Sequence, residues 1–369
     1  MTSPAPPAPH LLRLMRGEVE QRVNLRQLPP AGFDALRATD AELLRLGLPR
    51  RPDAGRSPAL RAFWDRMFRP PLAFIGPQLE FGVTLRHLLR QGAAAGEAGA
   101  MAFVPTRWGT SRNWAGAVIT ARDSMLFRTV AGRWAVPAPT PPANASSMPL
   151  PPGGAWQCSV WLGLDGYRRW SRSLPQMGTV SEVDGADGAL KPATYVFAQW
   201  WVRGKTFGEV RISNMPVKPG DEVSCLLTAE GPTEVIFAMT NHTQGVSLSL
   251  SWSQGQVEID AGQLNRSDAP VEGRNAVWCV ERPLTRPIGP QQPALFSLPV
   301  IEPVGFREAL AEMHDPADAA AQPVMRDLTA ARLLRMVTPA EGAGGPRVDV
   351  LVSPKAPAAG GRSLQVRQG

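Results

Sequence analysis

The residues best placed to do chemistry sit singly inside tryptophan-bearing runs: Trp161-Leu-Gly-Leu-Asp165-Gly166, Pro175-Gln176-Met-Gly178, Ala198-Gln199-Trp200-Trp201 and Asn275-Ala-Val277-Trp278. One tryptophan on a strand is ordinarily core. Several, with Gln and Asp embedded beside them, suggest a concave face with an aromatic surface that could hold a peptide or a sugar. The commoner chemistries are missing. There is no GxSxG elbow, no phosphate loop and no GxGxxG after a strand. Cys158, Cys225 and Cys279 lie far apart with no CxxC pair, so they read as small apolar core residues rather than as a zinc or redox site. His10, His87, His242 and His314 are equally dispersed, and no metal or cofactor is expected. Asp184-Gly-Ala-Asp-Gly188 lacks the ligand count of a calcium loop and reads as a hairpin turn.

Such residues need a scaffold of short strands. Glycine (35) and proline (38) make up about a fifth of the 369 residues, and only 19% are charged, which excludes a helical bundle. From Asn113 onward the pattern has period two, in runs such as NWAGAVIT, WQCSVWLGLDG, YVFAQWWVR, DEVSCLLTA, EVIFAMTN and AVWCVER. Turn signals separate the runs (PPGG, KPGD, EGPT, TQG), so the expectation is all-β, a sandwich or barrel. Thr140–Gly154 is Pro-rich and expected as a surface loop, and REALAEM (307–313) as a short helix.

The first hundred residues differ. Residues 1–9 are Pro/Ala-rich and expected to be disordered. Thr39 with Glu42 forms a capping box ahead of AELLRL, which Gly47 ends. Ser57-Pro58 opens a second helix with Leu60, Trp64 and Phe68 on one face, expected to pack on the sandwich or on a partner. LRHLLR (85–90) leads into a Gly/Ala-rich linker at about 91–101. The expected division is therefore 1–100, a helical and partly disordered segment, and 101–369, a β domain. Whether the first part is a propeptide or a permanent lid is left open.

The net charge is +7, with scattered arginines and no basic helix, so nucleic acid is not an expected partner. No stretch approaches the ~20 apolar residues of a membrane span, and no secretory leader is visible. The default location is cytoplasmic, with secretion as the alternative. The oligomeric state is not legible.

The order of the motifs resembles the glutamic peptidases, or eqolisins. The matching residues are Asn113-Trp-Ala-Gly116, Gly132-Arg-Trp-Ala-Val-Pro137, Trp161–Gly166, Leu174-Pro-Gln-Met-Gly178, Phe197-Ala-Gln-Trp-Trp201, Pro219-Gly-Asp221 and Asn275–Glu281. The resemblance covers roughly 107–369. It implies two antiparallel sheets packed face to face as a concanavalin-like jelly roll. It also implies a water held between a Glu carboxylate, which acts as base and then acid, and a Gln amide that steadies the oxyanion. The family's Gln falls on Gln176. Its Glu falls on Val277, and Gln199 stands where many fungal members have Glu.

Valine neither donates nor accepts, and an amide does not titrate. Glu281 is a weak substitute: four residues along a strand keep it on the same face, but about 13 Å from position 277. Glu182 and Asp184 are further candidates if their hairpin folds inward. Substrate contacts are expected from Trp114, Trp161, Asp165, Gln199, Trp201 and Trp278. The leading reading is a peptidase-like protein with lost or strongly reduced activity that holds an extended peptide or protein segment in its groove. An active acid endopeptidase using Gln176 with another carboxylate, and a carbohydrate-binding module, are the alternatives.

Overall fold

The computed structural model describes residues 17, 19–80 and 108–369. Excepted are 144, 148, 152–153, 169, 186–188, 204–208, 255, 261–262, 267–268, 284–294, 319, 341–346, 356 and 358–359. The expectations for 1–9, for a helix at 85–90 and for a linker at 91–101 lie outside the described residues. Two helices, α1 (Asp40–Arg45) and α2 (Pro58–Met67), precede the long strands. The sheets are built from β1 (Trp114–Thr120), β2 (Leu126–Ala135), β3 (Ala155–Leu164), β4 (Ser173–Asp184) and β5 (Lys191–Val202). They continue through β6 (Glu222–Gly231), β7 (Glu234–Asn241), β8 (Val246–Ser253) and β9 (Asn275–Glu281). The last strands are β10 (Val304–His314), β11 (Arg332–Ala340), β12 (Arg347–Pro354) and β13 (Ser363–Gln368).

Pairing sorts these into two antiparallel layers. The front layer runs β12-β11-β1-β9-β3-β4-β5. The back layer runs β8-β7-β6-β2-β10-β13. Pairing of β12 with β13 joins the layers along one edge. Alternate residues from both fill the space between, among them Val160, Leu162, Met177, Trp200, Leu227, Phe237 and Trp278. Two interior indoles reach across the gap, the Trp278 N–H donating to the Ala131 carbonyl at 2.9 Å and that of Trp134 to Thr179 Oγ1 at 3.1 Å, while Trp252 Nε1 has no partner among the described residues. All three cysteines are free and buried on strands.

The helices pack on the outer side of the back layer. The capping box of α1 is present, with the Glu42 N–H donating to Thr39 Oγ1 and the Thr39 N–H to Glu42 Oε2. Leu43 of α1 and Leu60, Phe63, Trp64 and Met67 of α2 meet Ala131, Leu226, Ala238 and Leu310. Each such large side chain contributes about 1.5–3 kcal/mol by leaving water.

Residues 307–313 are not a helix but the middle of β10. Ala, Glu, Leu and Met favour helix locally, yet β2 on one side and β13 and Val324–Arg326 on the other offer hydrogen bonds to both edges. Tertiary pairing outweighs a propensity of a few tenths of a kcal/mol per residue. The register shift between Arg307 and Leu310, with Glu308 at φ +50°, marks where the strand bends.

Candidate functional site

Alternation along the front strands decides which side chains can meet. On β9, Ala276, Trp278 and Val280 enter the interlayer core, so Asn275, Val277, Cys279 and Glu281 face outward. By the same rule Leu174 and Gln176 face outward on β4, Phe197, Gln199 and Trp201 on β5, and Trp161 and Gly163 on β3. The register then sets one row straight across the sheet: Val118, Val277, Gly163, Gln176, Gln199.

Gly163 explains how positions 277 and 176 communicate. A Cβ at 163 would lie 2.7 Å from the Pro175 carbonyl and 3.1 Å from Gln176 Cβ. The Leu174 side chain reaches the same place, its Cδ1 3.2 Å from where that Cβ would lie. At about 4.8 Å per strand, positions 277 and 176 are about 10 Å apart between backbones, a span that two long side chains and one water can bridge. Gln176 is 6% exposed; its Nε2 donates to Gln199 Oε1 at 2.6 Å, and its Oε1 has no partner among the described residues. Asn275 repeats the pattern two residues from Val277, its Nδ2 donating to Thr120 Oγ1 at 3.1 Å and its Oδ1 unpartnered. A buried acceptor without a donor costs about 1–3 kcal/mol. Val277 itself is 1% exposed.

None of the three candidate carboxylates stands close enough to replace a glutamate at 277. Glu281 is four residues along β9, about 13 Å away. It accepts from the Trp161 indole N–H at 2.7 Å and the Asn113 amide at 3.1 Å. Burial pushes its carboxyl up to about 7, against the pull of those donors. Glu182 is six residues beyond Gln176, about 20 Å along β4. It accepts from Gln157 Nε2 at 3.0 Å, and burial raises its pKa. Asp184 is farther still, at the end of the strand.

Of the expected substrate contacts, Gln199, Trp161, Trp201 and Trp114 lie on the outward face with Gln176 and Val277. Trp114 meets Trp161 edge to face at 5.1 Å. Two do not. Trp278 is adjacent to Val277 in sequence and therefore points the opposite way, into the core. Asp165 is fully buried and accepts three backbone N–H groups, from Glu272 (2.8 Å), Gly273 (3.1 Å) and Arg274 (2.6 Å). It anchors the chain entering β9 and so fixes where Val277 falls; burial pushes its carboxyl up to about 6 despite those donors.

Nor is the face an open groove. Val118, Trp161, Leu174, Phe197, Val277 and Cys279 pack into one buried cluster, with Trp114, Tyr167 and Trp201 partly exposed at its ends. Gly163, Asn275 and Tyr167 were missed as members of the site. The signal for Asn275 was its parity with Val277; Gly163 needs the register. Among the described residues no cluster of His, Cys, Asp and Glu could hold a metal ion, and no helix is long and apolar enough to cross a membrane.

The model of the Peptidase A4 family matches residues 112–326. Among solved structures, the chain is similar to scytalido-glutamic peptidase with a transition state analog inhibitor, at 16% identity over 71% of this chain and 100% of that one, TM-score 0.49. It is also similar to SCP-B, a member of the Eqolisin family of peptidases, in a complex with the tripeptide Ala-Ile-His (16% identity, 71% and 100% covered, TM-score 0.46). A third is aspergilloglutamic peptidase from Aspergillus niger (18% identity, 58% and 99% covered, TM-score 0.37). No curated protein matches the chain.

Proposed function

The chain belongs to the peptidase A4 family, and we propose that it is a member that holds an extended peptide or protein segment at its front face without cutting it. The observation that carries this reading is the row Val277-Gly163-Gln176. On this reading Gln176 supplies the amide that would polarise a scissile carbonyl, and the position across the glycine holds an isopropyl group. Without a base there is no activated water, and loss of a general base lowers a rate by about 10²–10⁴; a pair acting as one unit loses more. The distances of Glu281, Glu182 and Asp184 argue against a substitute. The unpartnered Gln176 Oε1 and Asn275 Oδ1 favour holding: they are buried at the covered front face, and backbone N–H groups of a segment that opens and enters it are the donors they lack. Trp114, Tyr167 and Trp201, partly exposed, are the aromatic contacts at the two ends of the face.

The test is digestion of a denatured protein from about pH 2 to pH 8 with the wild type, Val277→Glu and Val277→Glu/Gln176→Ala. The expected result is no cleavage by the wild type, a gain of about 10²-fold or more in Val277→Glu, and loss of that gain in the double variant. Wild-type cleavage that disappears on Gln176→Ala would overturn the reading.

A further inference from the structure

In the connection between β3 and β4, residues 166–168 and 170–172 sit at the end of the front face nearest Gln176. Trp170 is 65% exposed, whereas every other tryptophan is buried or partly so. The Arg168 guanidinium lies 5.6 Å from the Trp170 ring and 5.7 Å from the Tyr167 ring. Tyr167 in turn packs on the cluster that contains Val277 and Leu174. The turn is internally braced: the Gly166 N–H donates to Ser171 Oγ, the Ser171 N–H to the Arg168 carbonyl, and Arg203 Nε to the Ser171 carbonyl. Gly166 at φ +78° leaves no room for a Cβ, which would meet Leu174 at 2.8 Å. Trp170 is therefore presented by a preformed turn.

Charge on this turn is one-sided. No Asp or Glu occurs between Gly166 and Val180, and among the described residues no carboxylate pairs with Arg168 or Arg172. Arg172 and Arg203 are exposed. The Arg168 and Arg172 guanidinium groups, without a carboxylate partner among the described residues and beside an exposed indole, match a ligand that brings carboxylates and an apolar side chain together.

We propose that this turn is a recognition site for acidic, extended peptide segments, with Trp170 taking an apolar side chain and Arg168 and Arg172 taking flanking carboxylates. The proposal rests on the peptide-holding reading of the front face and names its substrate class. A single strand of nucleic acid also suits arginine and indole. The peptide is favoured because Tyr167 joins the turn to the face that carries Gln176.

The experiment is fluorescence anisotropy on the full chain with four labelled probes: a twelve-residue peptide alternating Glu and Leu, its Gln counterpart, its Lys counterpart, and an oligothymidylate of twelve nucleotides. The acidic peptide should bind most tightly, and its affinity should fall as salt rises. Trp170→Ala should weaken it about thirtyfold, as for a central aromatic anchor, and Arg168→Glu/Arg172→Glu at least as much. Neither change touches a buried group, so unchanged melting shows that folding is not the cause. Equal binding of the Glu and Gln peptides with neutral loop variants overturns this proposal and leaves the peptide-holding reading standing. Preference for the oligonucleotide overturns the proposal as well. Failure of all three peptides overturns both.

Discussion

On the outer side of the back layer, Leu226, Ala238 and Leu310 are covered by Leu43, Phe63 and Trp64 of the helices. Several polar groups on that side meet partners within the chain, although Arg51 Nε and His314 Nδ1 have no hydrogen-bond partner among the described residues. Ser224 Oγ and His242 Nε2 are 2.7 Å apart, Arg66 pairs with Glu308, and Ser57 Oγ donates to Glu312. On the outer side of the front layer, aromatic and aliphatic side chains are buried just as thoroughly, but Gln176 Oε1 and Asn275 Oδ1 have no donor. Both sides leave polar atoms unmet; those at the back include nitrogens of Arg51 and His314, whereas those of the front row are amide oxygens on either side of Val277, at a cost of about 1–3 kcal/mol each. A sequence shaped by stability alone would have apolar residues there. On the peptide-holding reading, the front acceptors are kept for a contact the chain does not itself supply.

That contrast is open to attack from the back layer first, where the effects are largest. Trp64 is fully buried, with its indole N–H donating to the Pro49 carbonyl at 3.1 Å. Trp64→Ala should cost about 3–5 kcal/mol, read as a lower urea midpoint. Peptide binding at the front face should survive in the fraction that remains folded. If binding is lost in the folded fraction as well, the two faces are coupled and the contrast fails.

Glu281 gives a smaller, pH-dependent effect on the front layer. Its folded pKa, about 7, lies above the ordinary value of 4.5. The folded state therefore holds more protons than the unfolded one between those values. The stabilising contribution is complete below about pH 4.5 and is lost as pH rises through about 7. Asp165, raised from 3.8 to about 6, adds a slope of the same sign that ends lower. Melting temperatures of Glu281→Gln between pH 4 and 8 should lose the part of the decline above about pH 6. A decline that persists unchanged to pH 7 would assign it to another group.

Much of this architecture is legible in the residues. Period-two runs mark strands because each has a buried face, and the Thr39–Glu42 box and the Leu60, Trp64, Phe68 stripe mark the helices. The motif also sets the expectation that Val277 occupies a carboxylate position. Trp278 facing the core was equally legible, since neighbours on a strand point apart, and its proximity to Val277 masked this. Gly163 was not legible. Its place in the row depends on β9 inserting between β1 and β3, more than a hundred residues distant in sequence, which no local pattern records. The filled state of the front face is hidden for the same reason. The strand at 307–313 shows the converse, a local preference overruled by pairing at both edges.

The smallest expected stability effect tests the contrast most directly. Gln176→Met keeps the length of the side chain, removes the unpartnered Oε1, and gives up the 2.6 Å bond from Nε2 to Gln199. Relief of a stranded acceptor and loss of one hydrogen bond are each worth about 1 kcal/mol and opposite in sign. The net change in urea stability should lie within about 1 kcal/mol of zero. Peptide binding, in contrast, should weaken, because the acceptor offered to a bound backbone is gone. A loss of more than about 3 kcal/mol would mean that Oε1 is held by the chain after all. The front row would then be a structural network like the one behind it, and the reason for reading it as a site would disappear.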